Sequence, residues 1–349
     1  MVPGPSLAPE APQEGGAVED VMTLTRRLAA AAAALFLAAA PAAAQTRIDL
    51  AVFHTEADAF SAASRHWAER LAARTQNRVQ IRPHYASSLV RLTETLAATR
   101  DGIVPLGTTA AGVLSGQVPA MAFIEVIGGM PGDAEGFTRA AGPLHAEMRR
   151  IFERQGVEYL WMQPAFGGLV ACRDGHLRTP PDWRGKRIRT AGRWQSQQML
   201  ALGAVPVTID PAEQYIALRQ GTVDCVLSNN TLALGLRLHE VAPYITQLRQ
   251  PVNIVIYLGD PRSIARLPEA DRTALRETGL EAQAFSVTHL LSQQDAAGNA
   301  MRQAGARIHT LSDDELAAFR TAVRPVFDAI AQAAGEAGRP IEAALRPNW

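Results

Sequence analysis

The sequence predicts an α/β fold built as two domains, and three patterns support that prediction. Segments that alternate like β-strands are followed by segments with helical spacing of apolar residues, which is typical of layered α/β proteins. The segment 94–109 recurs at 213–228, and the chain from 267 to 333 is mainly helical in pattern. With 349 residues and 47% hydrophobic content, the chain can bury cores for two domains.

The first domain begins with strand and helix patterns in alternation. Residues 47–53 and 78–85 are predicted strands, and a helix that ends at Gly102 follows the second of them. The helix between these strands carries four apolar side chains on one face: Phe60, Ala63, Trp67 and Leu71. This alternation favours parallel strands covered by helices.

The second domain repeats the alternation and contains a clearly marked helix start. Asp210 is the predicted N-cap, Pro211 lies in the first turn, Glu213 takes the third position, and Gly221 ends the helix. Residues 195–202 form another predicted helix. Strands are predicted at 157–166, 168–173 and 186–191.

The internal repeat indicates where a ligand would bind. Segments 94–109 and 213–228 align without gaps at a constant offset of 119 positions, and in each a helix ends at glycine before a strand. Ligands of parallel α/β sheets bind beyond the carboxyl ends of the strands. Residues 107–109 and 227–229 are therefore expected to face each other across a cleft.

The N-terminal region predicts export. Residues 22–44 have two arginines, an apolar run and a small-residue cleavage pattern, which is typical of a signal peptide cleaved near Ala44. Residues 1–21 precede it as a non-native or disordered extension, so that Met22 is the expected start. The mature chain of about 305 residues is then expected in the periplasm. Cys172 and Cys225 can be either paired or free there.

Composition and motifs narrow the class of function. Acidic and basic residues balance at 34 each, which disfavours nucleic acid as a partner. The sequence contains no nucleophile elbow, zinc-protease, P-loop or dinucleotide fingerprint, and its eight histidines lack metal-ligand spacing. We therefore expect a binding protein for a small molecule, with no catalytic residues, metal or cofactor.

Several segments in order resemble one family. Residues 83–123, 182–192 and 202–229, with the helical C-terminal part, resemble the DctP-type solute-binding proteins of tripartite ATP-independent periplasmic (TRAP) transporters. The resemblance implies a two-domain periplasmic binding protein, type II-like, with a long helix that spans both domains. It also implies capture of an organic acid and delivery to the TRAP membrane permease subunits. The implied domains are 45–166 plus 255–294, and 167–254 plus 295–349.

Arg189 is the main candidate for the ligand site. Strand alternation places Arg187 and Arg189 on one side and Lys186 and Ile188 on the other, and Arg189 lies nearer the strand end. The resemblance implies that this arginine pairs with the carboxylate of the ligand. A guanidinium matches a carboxylate with two parallel hydrogen bonds. The alternative is a structural ion pair between Arg189 and Asp182 or Asp210.

Other candidates for the ligand site are less specific. Alternatives for them are a helix cap, a solvated loop position or a place in the core. Asn229 lies within one residue of an asparagine that relatives use for the ligand, so that Ser228 or Asn230 could hold this role instead. The remaining candidates are Thr108, Thr109, His54, Phe166, Trp194 and Tyr215.

Departures from the family narrow the expected ligand. Leu169 occupies the place of a second arginine found in some relatives, and residues 108–113 carry no charge where sialic-acid binders have a basic residue. We expect a small mono- or dicarboxylate with an apolar portion. A binding protein of an ABC-type importer and a periplasmic enzyme are the alternative functions.

Overall fold

A computed structural model describes residues 45–348, together with Met1 and Gly4. The predicted signal peptide, residues 22–44, lies outside the described residues, as does most of the extension before it.

Residues 45–348 fold into strands and helices that alternate over most of the chain. The strands are β1 Thr46–Ala51, β2 Val79–His84, β3 Leu106–Ala110, β4 Glu158–Pro164, β5 Gly168–Cys172, β6 Arg187–Thr190, β7 Val205–Thr208, β8 Cys225–Asn229, β9 Tyr244–Gln247, β10 Ile254–Gly259 and β11 Arg307–Thr310. The helices are α1 Ser61–Arg74, α2 Thr95–Arg100, α3 Ala111–Leu114, α4 Ala122–Glu125, α5 Ala134–Arg154, α6 Pro180–Trp183, α7 Arg193–Ala201, α8 Gln214–Arg219, α9 Asn230–Gly235, α10 Pro261–Ala265, α11 Glu269–Gln303 and α12 Asp313–Leu345.

The strands form two mixed sheets. The first has the order β2-β1-β3-β10-β4 and the second the order β11-β9-β5-β8-β6-β7. The chain crosses to the second sheet after β4 and returns to the first at β10. Strands β1, β2 and β3 are parallel, as are β6, β7 and β8, whereas β10 and β5 run antiparallel to their neighbours. The expectation of parallel layers is thus right for part of each sheet and wrong at these two strands.

The predicted repeat is a real structural unit. Helix α2 and strand β3 have the bounds of α8 and β8 at the same offset of 119 positions. Gly102 and Gly221 follow the two helices with φ of 77° and 73°, a left-handed conformation that favours glycine. The neighbouring strands also correspond, because Ala51 of β1 pairs with Gly107, as Arg189 of β6 pairs with Val226. Arg189 is therefore the counterpart of Ala51.

Two long helices close the chain. Helix α11 packs on α1 and β4 beside the first sheet and on α9 beside the second, as expected for a helix that spans both parts. Helix α12 begins with a capping box between Ser312 and Glu315 and bends at Gly335, whose backbone is not helical. No helix of residues 45–348 is both long and apolar enough to cross a membrane.

The two cysteines are paired. A disulfide joins Cys172 of β5 to Cys225 of β8, two residues in register on adjacent antiparallel strands. Both residues are buried. The disulfide links two strands that are brought together from separate parts of the chain, and a bond of this kind is typical of an oxidising compartment.

Candidate functional site

Arg189 lies at the carboxyl edge of the second sheet and is buried, with 3% of its surface exposed. Its Nε donates a hydrogen bond to the carbonyl of Ile209 at 2.8 Å, and its Nη1 donates to the carbonyl of Leu227 at 3.1 Å. These carbonyls follow β7 and lie in β8, so that they fix the guanidinium across the ends of three strands. Its Nη2 is buried and has no hydrogen-bond partner in the described part of the chain.

The charge of Arg189 is not neutralised by an ion pair with any described residue. Asp182 instead accepts hydrogen bonds from Thr179, and Asp210 caps the turn that precedes α8. Burial lowers the pKa of Arg189 to about 10, although the nearby Asp210 opposes that change. The guanidinium therefore remains cationic at neutral pH. Arg187 differs, because it is half-exposed and pairs with Asp224 at 2.6 Å.

Two more buried polar side chains lie on the same face of the sheet as Arg189. Ser228 is 4% exposed and Gln214 is fully buried, and Ser228 Oγ and both amide atoms of Gln214 lack partners among the described residues. Ser228 lies opposite Leu169 in the strand register, and Leu169 packs in the same apolar cluster as Val226. Since Val226 pairs with Arg189, the side chains of Arg189, Val226 and Ser228 share one face of the sheet.

Gln214 was not identified from the sequence. It is the first residue of α8 and lies one turn before Leu218, a buried member of the cluster that also contains Leu169 and Val226. The i, i+4 spacing of Gln214 and Leu218 is the signal that places the amide toward the sheet.

A model of the bacterial extracellular solute-binding protein family 7, DctP, matches residues 51–333. The chain belongs to this family. A solute-binding protein of Albidiferax ferrireducens is 24% identical over 270 residues, which is 74% of this chain and 78% of that protein.

Solved structures of DctP-type and TRAP solute-binding proteins share the two-domain periplasmic binding fold. A TRAP periplasmic solute-binding protein of Marinobacter aquaeolei, in an apo open form, has a TM-score of 0.79 at 24% identity, covering 86% of this chain and 100% of that one. DctP7 of Bordetella pertussis, an extracytoplasmic receptor that binds pyroglutamic acid, has a TM-score of 0.77 at 17% identity, covering 86% and 99%. The family and these neighbours are substrate-binding receptors.

The candidate residues in and near the first sheet of this DctP-family protein already have partners in the same part of the chain. Thr108 Oγ1 donates to the carbonyl of Ala51 and accepts from the Phe53 N–H, and Thr109 Oγ1 donates to the carbonyl of Leu92. His54 stacks on Phe60 at 4.7 Å between ring centroids, and burial lowers its pKa to about 4, so that the imidazole is neutral. A direct ligand contact by these three residues stays a prediction.

The remaining candidates of the second sheet and its surroundings also have structural roles. Asn229 Oδ1 caps α9 by accepting from the Leu232 N–H. Phe166 is fully buried against Phe137, and Trp194 is 5% exposed beneath the guanidinium of Arg193. Tyr215 is half-buried and packs on the apolar cluster beneath α8. The structure thus places Arg189 and Ser228 on one face of the second sheet, and ligand contacts by all of the candidates stay predictions.

The side chain of Glu125 lies close to Gly112, which follows β3, and to Gly192, which follows β6. It is 1% exposed, and a side chain at Gly192 would place its Cβ 2.3 Å from Glu125 Oε1. Burial raises the pKa of Glu125 to about 7, against the lowering effect of hydrogen bonds from the Ser115 hydroxyl and the Gln195 N–H. Glu125 Oε2 has no partner in residues 45–348. The carboxyl group therefore titrates near neutral pH between the segments that follow β3 and β6.

A separate polar cavity of about 420 Å³ lies beside α11. Its lining includes Gln247, Arg249, Gln294 and Arg302, and of the candidates for the ligand site it contains Asn230, whose Nδ2 donates to the carbonyl of Gln294. Arg249 pairs with Asp313 at 2.6 Å. No group of His, Cys, Asp or Glu side chains in the described residues is arranged to hold a metal ion.

Proposed function

We propose that this protein captures a small organic acid in the periplasm and presents it to the membrane permease of a TRAP transporter. The proposed domains are 45–166 plus 255–294, and 167–254 plus 295–349, with the acid enclosed between them. The observation that carries the proposal is the guanidinium of Arg189, which is buried, cationic and without an ion pair among the described residues.

The geometry of Arg189 suits a carboxylate ligand. Two backbone carbonyls hold its Nε and Nη1, which fixes the plane of the guanidinium before the ligand arrives. A group held in this way loses little conformational entropy on binding. Its Nη2 has no partner in the described residues, so that its two N–H groups remain for the ligand. The carboxylate of pyroglutamic acid, the ligand of DctP7, supports the same class of ligand here.

Closure of the domains would convert this contact into capture. A ligand that touches both domains binds the closed form more tightly than the open form and shifts the population toward it. A preference of 10⁴-fold corresponds to about 5.5 kcal/mol, enough to change a ratio of 1:99 into 99:1. The permease would then recognise the closed surface.

The proposal is tested with a thermal-shift screen of organic acids followed by calorimetry on Arg189→Ala. At 100 times its Kd, a ligand adds about 2.7 kcal/mol to stability, which the screen detects. Arg189→Ala is expected to weaken binding of the best acid by about 2–5 kcal/mol, because the carboxylate loses its buried partner.

Arg187→Ala is the matched control, since Arg187 lies two residues away on the same strand but is half-exposed and paired with Asp224. It should leave the affinity nearly unchanged. Equal affinities of wild type and Arg189→Ala for every acid that binds would remove Arg189 from the site.

A further inference from the structure

The amide of Gln214 is a buried polar group without a partner. The residue is fully buried at the start of α8, and neither Oε1 nor Nε2 makes a hydrogen bond within the described residues. Buried amides are nearly always paired in native proteins, and each exception calls for an explanation. Four unpaired atoms, on Gln214, Ser228 and Arg189, share one face of the second sheet.

The repeated unit shows where the side chain at position 214 lies. Its counterpart in the first sheet is Thr95, whose γ-methyl lies 2.5 Å from the place that a Cβ of Gly107 would take. A residue at this start of the helix therefore packs directly on the strand beneath it. In the second sheet that strand position is Val226, which pairs with Arg189. By this correspondence Gln214 packs over Val226, on the face of the sheet that carries Arg189.

We propose that Gln214 and Ser228 bind a second polar group of the ligand, a hydroxyl or an amide close to the carboxylate, and that Gln214 sets the preference for acids that carry it. This inference rests on the proposed function, in which Arg189 holds the carboxylate. An amide side chain both donates and accepts, and a serine hydroxyl does the same. The complementary ligand groups are therefore those that combine a donor with an acceptor.

The physical basis of this preference is the state of Gln214 when the ligand lacks the second polar group. A plain aliphatic acid would exclude water from the amide without replacing its hydrogen bonds. Sites that hydrogen-bond a ligand hydroxyl or N–H discriminate against analogues without it far more strongly than apolar pockets discriminate by size. We expect a ratio of about 10- to 100-fold between matched acids.

The test measures affinities by calorimetry for two matched pairs of acids: L-lactate with propionate, and pyroglutamate with cyclopentanecarboxylate. In wild type the polar member of each pair should bind about 10-fold tighter or more. Gln214→Leu should reduce the ratio to about threefold or less, chiefly by weakening the polar member. Gln220→Leu, at an exposed glutamine just beyond the same helix, should keep the wild-type ratio.

Two results would overturn the inference: equal binding of both members of each pair by wild type, or an unchanged ratio in Gln214→Leu. Arg189→Ala separates this outcome from failure of the proposed function. If Arg189→Ala binds neither member of a pair while wild type binds both members equally, the role of Gln214 is rejected and the carboxylate anchor is kept. Undiminished binding of both members by Arg189→Ala rejects the carboxylate anchor and this inference with it.

Thermal unfolding without ligand gives an independent result. If the Gln214 amide is reserved for a ligand, Gln214→Leu removes an unpaired polar group and should unfold at the same temperature as wild type or higher. If the amide is a structural hydrogen-bonding group, the variant should unfold at a lower temperature than both wild type and Gln220→Leu. The second outcome would contradict the inference.

Discussion

The two helix–strand units of this protein have helices and strands with the same bounds, but the polar side chains at three equivalent positions differ in whether they have hydrogen-bond partners. In the first unit, Thr95 Oγ1 donates to the carbonyl of Arg91 at 3.1 Å, and Thr109 Oγ1 donates to the carbonyl of Leu92 at 3.3 Å. The third position is Ala51, which packs in a small apolar cluster. Both hydroxyls at these positions have carbonyl acceptors in the turn before α2, although Thr99 Oγ1 of the same helix is buried without a partner in the described residues.

In the second unit the same three positions carry Gln214, Ser228 and Arg189, and each has at least one buried atom without a partner in the described residues. In the proposed function, the second sheet supplies the specific contacts to the ligand and the first sheet supplies the surface that closes over it. Unsatisfied groups reduce stability, and four such atoms occur at these positions of the second unit and its neighbouring strand against one, Thr99 Oγ1, in the first unit.

The largest expected effect on stability comes from placing an arginine at Ala51, the position in the first sheet that corresponds to Arg189. Ala51→Arg buries a cation where the neighbours are apolar and already packed. We expect a loss of about 3–5 kcal/mol in the free energy of unfolding, from overpacking and an unpaired buried charge. Urea denaturation measures the loss, with Arg47→Ala at an exposed position of the same strand as the control. A cost below that of an ordinary surface substitution would show that the two units are interchangeable.

Glu125 extends the comparison because it lies between Gly112 and Gly192, in the segments that follow β3 and β6. Its pKa is raised from 4.5 to about 7, so its contribution to stability is fully present below pH 4.5 and is lost as the pH rises toward 7. Glu125→Gln should therefore be about 2–3 kcal/mol more stable than wild type at pH 8 and nearly equal to it at pH 4. Urea denaturation at both pH values tests this expectation. A variant less stable than wild type at pH 8 would show that the ionised carboxylate is needed.

The smallest effect concerns the equivalent hydroxyls of Thr109 and Ser228. Thr109→Ser keeps the hydrogen bond to Leu92, whereas Thr109→Val removes it and should lower the free energy of unfolding by about 1 kcal/mol. Ser228→Ala removes an unpaired hydroxyl and should leave stability within about 0.5 kcal/mol of wild type. Thermal unfolding without ligand distinguishes the two positions. A larger loss in the free energy of unfolding for Ser228→Ala than for Thr109→Val would show that the Ser228 hydroxyl, and not the Thr109 hydroxyl, makes the stabilising hydrogen bond.

The parts of the fold that depend on local patterns were predictable. The repeat at an offset of 119 identified both helix–glycine–strand units, and strand alternation placed Arg189 near the strand end, where the structure also has it. The antiparallel strands β5 and β10 were not predicted, because their direction depends on how the chain crosses between the sheets. Helix α5 was not identified either, and it contains Pro143 within its length.

The individual side chains of the site were harder to predict, because hydrogen-bond partners are set by tertiary contacts. Thr109 and Ser228 occupy equivalent positions and carry similar hydroxyls, yet only Thr109 has a carbonyl acceptor in reach. Gln214 starts a helix between two more conspicuous residues, Glu213 and Tyr215, and its burial follows from the packing of α8 on β8. The pairing of the two cysteines likewise depends on the register of β5 with β8.

The most direct test of the central claim is a crystal structure of the mature chain with the acid that gives the largest thermal shift. We predict that a carboxylate oxygen of this acid lies within hydrogen-bond distance of Arg189 Nη2 at the carboxyl edge of the second sheet. A carboxylate bound elsewhere, such as in the polar cavity beside α11 near Arg249 and Arg302, would contradict the account.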